Sequence, residues 1–131
     1  MNIGIAAKIS SLTIKTVRYY SNINLLNPYI NPKTGYRSYT NEDIAKLQFI
    51  GKARKYDFSI DECRELLSLY EDKNRSSKDV KKLTLQKLNK IEQKLIELKS
   101  LKNELRHLVN SCQGNKRPEC PILEKLSKRK N

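Results

Sequence analysis

The most constraining feature of this sequence is a long stretch without glycine or proline, from Lys78 to Gln113. Ser76-Ser77-Lys78-Asp79 is a helix start signal at its beginning, so we expect one helix from there to about Ser111. Apolar residues recur along it in steps of three and four, skipping only Lys102: Leu88, Ile91, Leu95, Leu98, Leu105 and Val109. This spacing is the a/d seam of a coiled coil of about three heptads.

A solvated helix cannot bury such a seam by itself, so we expect residues 78–111 to form a homodimer with a second copy of the chain. The composition agrees, because 37% hydrophobic and 31% charged residues make an unusually polar chain for a self-contained domain of 131 residues. The alternative is packing of the seam against the chain's own domain, but the sequence contains no other comparable helix.

Two short helices are predicted near the N-terminus. Asn2 is a capping residue for a helix over Ile3–Ile9, and Thr13 is one for a helix over Ile14–Tyr20. The link of residues 10–12 has the length of a helix-turn-helix connection.

A β-hairpin is predicted next, over residues 27–39, which we call the wing. Pro28 and Pro32 exclude a helix there, and Thr34-Gly35 is a turn candidate between short extended arms. Capping boxes at Thr40 and Ser59 then predict two more helices.

Those two helices should run to about Tyr56 and Tyr70. Cys63, on the second of them, is expected to be a small buried apolar residue.

Charge and composition limit the class of protein. Lys and Arg outnumber Asp and Glu by 27 to 14, for a net charge of +13, which favours a nucleic-acid partner over the alternative of simple solubility. One histidine, no glycine-rich phosphate loop and no paired carboxylates argue against an enzyme. No apolar run approaches the roughly 20 residues of a membrane span, so we expect a cytoplasmic protein without a membrane partner and with reduced thiols.

The second helix carries the candidate DNA contacts. In a helix-turn-helix this helix enters the major groove, and Lys15 and Arg18 share one of its faces because they lie three residues apart. With Thr16 and Tyr19 they form the candidate set, and Arg18 is the first candidate for a base edge or a flanking phosphate. The apolar residues of this segment are expected to pack between the first two helices: Leu12, Ile14 and Val17 on Ile5, Ala6 and Ile9. For Tyr20 and Tyr39, the sequence is equally consistent with a position in the core and with a contact to DNA.

Cys112 and Cys120 form the candidate sensing site. The seven residues between them include Gly114 and Pro118 and should double back so that the sulfurs meet. Pro121 predicts a short helix over Pro121–Ser127, whose N-terminal dipole lowers the pKa of Cys120. Two thiolates without an obvious third ligand suit a soft d10 monovalent ion, whereas Zn(II) ordinarily takes four ligands.

Three alternatives stay open at this point. The first is a divalent-metal site that adds His107 or Glu119, although His107 suits a surface or coiled-coil position. The second is a redox sensor in which Cys112 and Cys120 form a disulfide. The third is an architectural DNA-binding protein without a ligand, which the paired cysteines disfavour.

The sequence resembles the MerR family of transcriptional regulators over almost its whole length. Residues 1–8 (MNIGIAAK), 16–20 (TVRYY) and 34–40 (TGYRSYT) carry the resemblance. Residues 75–81 (RSSKDVK) and the tail from Ser111, with its CPILEKL segment from Cys120 onward, are most similar to the copper-efflux branch, the CueR-type regulators.

That resemblance implies a mainly α fold in three parts. These are a winged helix-turn-helix DNA-binding domain with its helix-pair connector over residues 1–75, a long antiparallel coiled-coil dimerisation helix over 76–111, and a metal-binding loop with a short C-terminal helix over 112–131. It further implies that Tyr36 and Arg37 in the wing clamp the DNA backbone and that Arg54 adds a phosphate contact.

The implied activity is metal-dependent activation of metal-efflux genes. The dimer occupies double-stranded promoter DNA with and without metal, and metal binding distorts the duplex so that RNA polymerase engages its recognition elements. The implied ligand is Cu(I), or Ag(I) or Au(I), one per chain.

Ser77 and Lys81 are implied to influence the choice of ion. Ser77 occupies a position where divalent sensors of the family have cysteine. Lys81 would offset the charge of the thiolates, although a solvent-facing role suits it equally. The loop is basic at Lys116 and Arg117, where the copper branch is usually acidic.

Overall fold

The computed structural model describes residues 1–112, 114–115 and 118–127, and the chain divides into two units, Met1–Lys81 and Lys82–Asn131. Its elements, in chain order, are α1 (Ile3–Ser10), α2 (Ile14–Asn22), β1 (Tyr29–Ile30), β2 (Arg37–Ser38), α3 (Asn41–Lys55), α4 (Ile60–Glu71), α5 (Ser77–Ser111) and α6 (Pro121–Ser127). The mainly α fold class predicted from the sequence is confirmed.

Local capping chemistry sets the first two helices. Asn2 Oδ1 accepts the N–H of Ile5 at 2.9 Å, and Thr13 Oγ1 accepts the N–H of Thr16 at 3.0 Å. Both predicted helices are confirmed, and each extends slightly beyond its predicted end. Ser11 closes α1 in the left-handed conformation, with φ of 58°.

The predicted wing is a two-stranded antiparallel hairpin in which Tyr29 pairs with Ser38 and Ile30 with Arg37. Gly35 has φ of +73°, and its N–H donates to Asn31 O at 2.8 Å. Because a left-handed φ is strained for most residues, glycine suits this turn.

Capping boxes begin α3 and α4 as the sequence predicts. Thr40 exchanges hydrogen bonds with Asp43, and Ser59 does the same with Glu62. The two helices are further joined by an ion pair between Lys46 Nζ and Glu71 Oε1, 2.9 Å apart.

The core of the first unit lies between α1, α2, α3 and α4, with the end of the wing packed into it. Its most enclosed large side chains are Val17, Leu26, Tyr39, Leu47, Ile50 and Cys63. Cys63 is fully buried, as predicted.

The predicted packing between α1 and α2 is half right. Ala6 and Val17 are fully buried and Leu12 packs at the edge of the core. Ile5, Ile9 and Ile14, however, are 45–48% exposed, which corrects the prediction for them. The inward face of α1 is built from small residues, including Ala6, so Ile5 and Ile9 remain on its outer side.

The second unit contains most of α5 and all of α6. No proline or glycine interrupts α5, which is continuous over 35 residues, and α6 spans the residues predicted for it. Within the described part of the chain, no helix has the length and apolar character required to cross a bilayer.

Candidate nucleic-acid interface and metal site

The exposed face of α2 contains three of the four predicted groove residues. Lys15, Arg18 and Tyr19 are exposed, while Val17 on the opposite face is fully buried. Thr16 is half-buried, and its Oγ1 accepts a hydrogen bond from the Thr13 hydroxyl at 2.7 Å, so it takes part in the helix cap. An exposed basic and aromatic face on a short helix has the chemistry needed to contact phosphates and base edges.

Of the two wing residues predicted to contact DNA, Tyr36 is exposed and Arg37 is hydrogen-bonded within the protein. Tyr36 is 78% exposed. Arg37 is half-buried and its Nη2 donates to the Asn22 side-chain oxygen at the end of α2. The wing is therefore joined to α2 in the free protein, and a phosphate contact by Arg37 would use its other N–H groups or replace this one.

Tyr20 and Tyr39 lie in the core rather than on the surface, which settles the position that the sequence left open for them. Burial raises the pKa of Tyr20 above its ordinary value, and the positive charge of the nearby Arg54 guanidinium opposes that rise.

Arg54 is exposed, but it is also a structural residue. Its Nη1 donates to Phe58 O at 2.7 Å across the turn between α3 and α4. This contact holds the guanidinium at that turn, near enough to Tyr20 for its charge to lower the pKa of that hydroxyl. The family resemblance implied a phosphate contact for Arg54, and the sequence did not reveal this second role.

Arg64 was not among the residues predicted from the sequence. From α4 its Nη2 donates to Ile23 O at 2.8 Å and its Nη1 to Asn24 O at 3.3 Å. Asn24 has φ of 60°, so the chain turns sharply where α2 ends. An Asn after a helical pattern signals such an end, but nothing local in the sequence predicts a partner 40 residues away.

The two predicted sensing cysteines lie side by side. Cys112 Sγ and Cys120 Sγ are 3.9 Å apart, both thiols are free and both residues are half-buried. Cys112 follows the last turn of α5, and Cys120 immediately precedes α6, so the two sulfurs meet as the spacing predicts.

The start of α6 lowers the pKa of Cys120. The backbone N–H of Leu123 contributes most to the lower pKa, and the backbone N–H of Ile122 and a hydrogen bond with the Cys112 side chain add to it. Desolvation and the negative charge of Glu124 act in the opposite direction. Backbone N–H groups at a helix N-terminus stabilise the thiolate over the thiol, which makes Cys120 a better metal ligand.

The described residues contain no larger donor group of the usual metal-binding side chains. Across residues 1–112, 114–115 and 118–127, no three His, Cys, Asp or Glu side chains are grouped as metal ligands. Ser77 and Lys81 are exposed at the start of α5. Lys116 and Arg117 lie outside the described residues.

The chain is similar to known regulators over nearly all of its length. The family model described as MerR HTH family regulatory protein matches residues 1–70, and the one described as MerR, DNA binding, matches residues 44–108. The regulator HmrR of Rhizobium leguminosarum bv. viciae is 50% identical, with 97% of this chain and 98% of that protein covered. The regulator CueR of Escherichia coli O6:H1 is 42% identical, with 97% and 94% covered.

A solved structure is similar over the same extent. This is the transcription regulator PbrR691 from Ralstonia metallidurans CH34 in complex with lead(II), with a TM-score of 0.81 and 31% sequence identity. The match covers 97% of this chain and 99% of that one.

Proposed function

Because the chain belongs to the MerR family of helix-turn-helix transcriptional regulators, we propose that it is a metal-responsive activator whose ligand is a monovalent soft ion, Cu(I), Ag(I) or Au(I). The protein is a DNA-binding regulator and not an enzyme. The observation that carries the choice of ion is the pair of free sulfurs of Cys112 and Cys120, 3.9 Å apart without a grouped third donor among the described residues.

The thiol pair fits a two-coordinate ion. A zinc–thiolate bond is about 2.3 Å long, so one metal ion of similar bond length can join two sulfurs up to about 4.6 Å apart. The distance of 3.9 Å between Cys112 Sγ and Cys120 Sγ is within that limit. A soft thiolate pair suits a d10 monovalent ion, which accepts two ligands, better than Zn(II), which usually takes four. Cys112 and Cys120 would hold one ion per chain, and the N–H groups at the start of α6 would stabilise the resulting negative charge.

Selectivity in this proposal depends on Ser77, with help from Lys81. By resemblance to the copper-efflux branch, the start of the partner's α5 covers the metal loop, and a serine there adds no thiolate ligand. PbrR691, which holds lead(II), is a relative whose ion is divalent, so a divalent ligand is the rival that the first experiment must exclude.

The DNA-binding half of the proposal is a homodimer that contacts promoter DNA through α2 and the wing. Support for the dimer comes from the α5 seam, where Leu95, Leu98 and Val109 are each 61% exposed in the single chain. Pairing would bury these side chains, and a two-fold axis would match two half-sites of a pseudo-palindrome.

Activation in this proposal is a change in DNA shape. A strong smooth bend of a 20–30 bp site requires about 1–6 kcal/mol, and metal binding supplies it only through a difference in affinity between two protein states. The distorted promoter would then present its recognition elements to RNA polymerase in the cytoplasm.

The deciding experiment is an anaerobic titration of the reduced protein with Cu(I) against a competing chelator, with Zn(II) in parallel. We expect tight binding of one Cu(I) per chain, lost in Cys112→Ser and in Cys120→Ser and kept in the matched control Cys63→Ser. Comparable Zn(II) binding, or Cu(I) binding that survives both substitutions, would reject the monovalent site. Ser77→Cys is the next variant, and we expect it to raise the affinity for Zn(II).

A redox-responsive regulator is the second candidate, because the same 3.9 Å distance allows Cys112 and Cys120 to form a disulfide after oxidation. Exposure to a mild hydroperoxide, followed by a transcription assay without metal, separates the two functions. Activation by peroxide alone would favour the redox sensor, and an unchanged basal rate would count against it.

A further inference from the structure

An arginine of α4 holds the C-terminal end of α2. Arg64 donates to the carbonyls of Ile23 and Asn24 just past the last turn. Carbonyl groups at a helix C-terminus lack partners within the helix and carry partial negative charge, so a guanidinium is a suitable cap for them.

The segment capped by Arg64 connects the two DNA-facing elements. Residues 23–26 follow α2 directly, and Leu25 and Leu26 are buried immediately before the wing begins. The wing is also bonded back to α2, through Arg37 and Asn22. A displacement of residues 23–26 would therefore move α2 and the wing together.

Arg64 belongs to the helix nearest in the chain to the sensing half. It lies on α4, which ends at Glu71, and α5 begins six residues later and leads to Cys112. Cys63 beside it is fully buried, so α4 is closely packed into the core of the first unit. The N–H donors of a guanidinium form a fork of fixed planar geometry. By bonding two carbonyls at once, Arg64 therefore constrains the orientation of this segment relative to α4 as well as its distance from α4.

We propose that Arg64 is a positioning residue that passes a metal-induced displacement of α4 to α2 and the wing. This inference rests on the proposed metal response. It assigns Arg64 a role in the coupling between the two sites, and not in the affinity of either one.

The test compares Arg64→Gln with Arg75→Gln in the full-length protein. Arg75 has the same charge, is exposed, and donates to the carbonyl of Asp72 three residues earlier, so its loss is a matched control. We expect Arg64→Gln to keep its Cu(I) affinity and its metal-free promoter affinity within about twofold, and to lose at least about fivefold of the Cu(I)-induced rise in transcription. Arg75→Gln should respond like the wild type.

Two further readouts keep the outcome interpretable. Hydrogen exchange should show faster amide exchange at residues 23–26 in Arg64→Gln than in Arg75→Gln, with similar thermal unfolding midpoints. Arg64→Lys keeps the charge but not the fork, so we expect it to lose much of the induction as well.

Three results would overturn the role of Arg64. The first is full induction in Arg64→Gln. The second is a loss of metal-free promoter affinity with weaker salt dependence, rescued by Arg64→Lys, since that pattern identifies a phosphate contact. The third is a wild-type protein that does not respond to Cu(I), which rejects the proposed function and this coupling role with it.

Discussion

The Tyr39 hydroxyl lies 2.9 Å from Ser21 Oγ in the core, and this contact joins the end of the wing to α2. Ser21 Oγ donates its single proton to Val17 O at 2.8 Å, so Tyr39 is the donor in the pair.

Tyr39→Phe should therefore lower the free energy of unfolding by about 1 kcal/mol, the usual net value of one buried hydrogen bond. Urea unfolding of the two proteins measures the difference. Tyr36→Phe is the control, because that side chain is 78% exposed and its hydroxyl should contribute less than about 0.5 kcal/mol. Equal effects of the two substitutions would contradict the structural role of Tyr39.

Arg37→Gln should weaken promoter binding and make it less sensitive to salt. If each Arg37 of a dimer neutralises one phosphate, the slope of log affinity against log salt should fall by about two units. Fluorescence anisotropy of labelled promoter DNA over a salt series measures that slope. Lys73→Gln is the control, since this residue lies between α4 and α5, outside α2 and the wing. An unchanged slope in Arg37→Gln would remove Arg37 from the DNA interface.

Leu98→Asp should dissociate the dimer, because it places a charge in the a/d seam of α5 where burial without a partner is unfavourable. Ile96→Asp is a closely matched control. Ile96 is 63% exposed against 61% for Leu98, but it falls outside the seam and should remain solvated after pairing. Sedimentation equilibrium of both variants measures the association. Dissociation by both substitutions, or by neither, would argue against the predicted seam.

The sequence predicts what is local and misses what is distant. The capping bonds of Asn2 and Thr13 join residues only three positions apart, so the sequence predicts the helices that they begin. The exposure of Ile9 was not predicted, because apolar character alone does not say which face of a short helix is built from small residues. Arg64 bonds two residues that precede it by 40 and 41 positions in the sequence, and only the assembled fold determines such a pairing.

The candidate metal site divides in the same way. The approach of Cys112 and Cys120 follows from a short loop with helix-breaking residues, so sequence spacing predicts it. The predicted role of Ser77 depends on a second chain and stays a prediction.

The Lys46–Glu71 ion pair should stabilise the first unit below the pKa of Lys46 and weaken above it. The hydrogen bond that Lys46 Nζ donates to the Glu71 carboxylate is the main reason that the pKa of Lys46 is raised above 10.5. A raised pKa means that the stabilisation is fully present below about pH 10.5 and is lost as the pH rises through the folded-state value.

Urea unfolding should therefore show that the free energy of unfolding falls between pH 8 and a pH above 11, and that it falls less in Glu71→Gln than in the wild type. Because Glu71 is about half exposed, we expect the pair to contribute less than about 1 kcal/mol. Glu65→Gln, another exposed carboxylate of α4, is the control. Equal pH dependence in Glu71→Gln and the wild type would show that the pair adds nothing.

Cys120 should react with iodoacetamide at lower pH than an ordinary thiol. The backbone N–H groups of Leu123 and Ile122 lower its pKa below 9.0, and the thiolate is the reactive form. In metal-free Cys63→Ala/Cys112→Ser protein, where Cys120 is the remaining thiol, we expect the midpoint of the pH–rate curve to stay below that value. The same protein in concentrated urea is the control, because unfolding removes the helix N-terminus. Coincident midpoints in the folded and unfolded protein would mean that α6 does not activate the thiol.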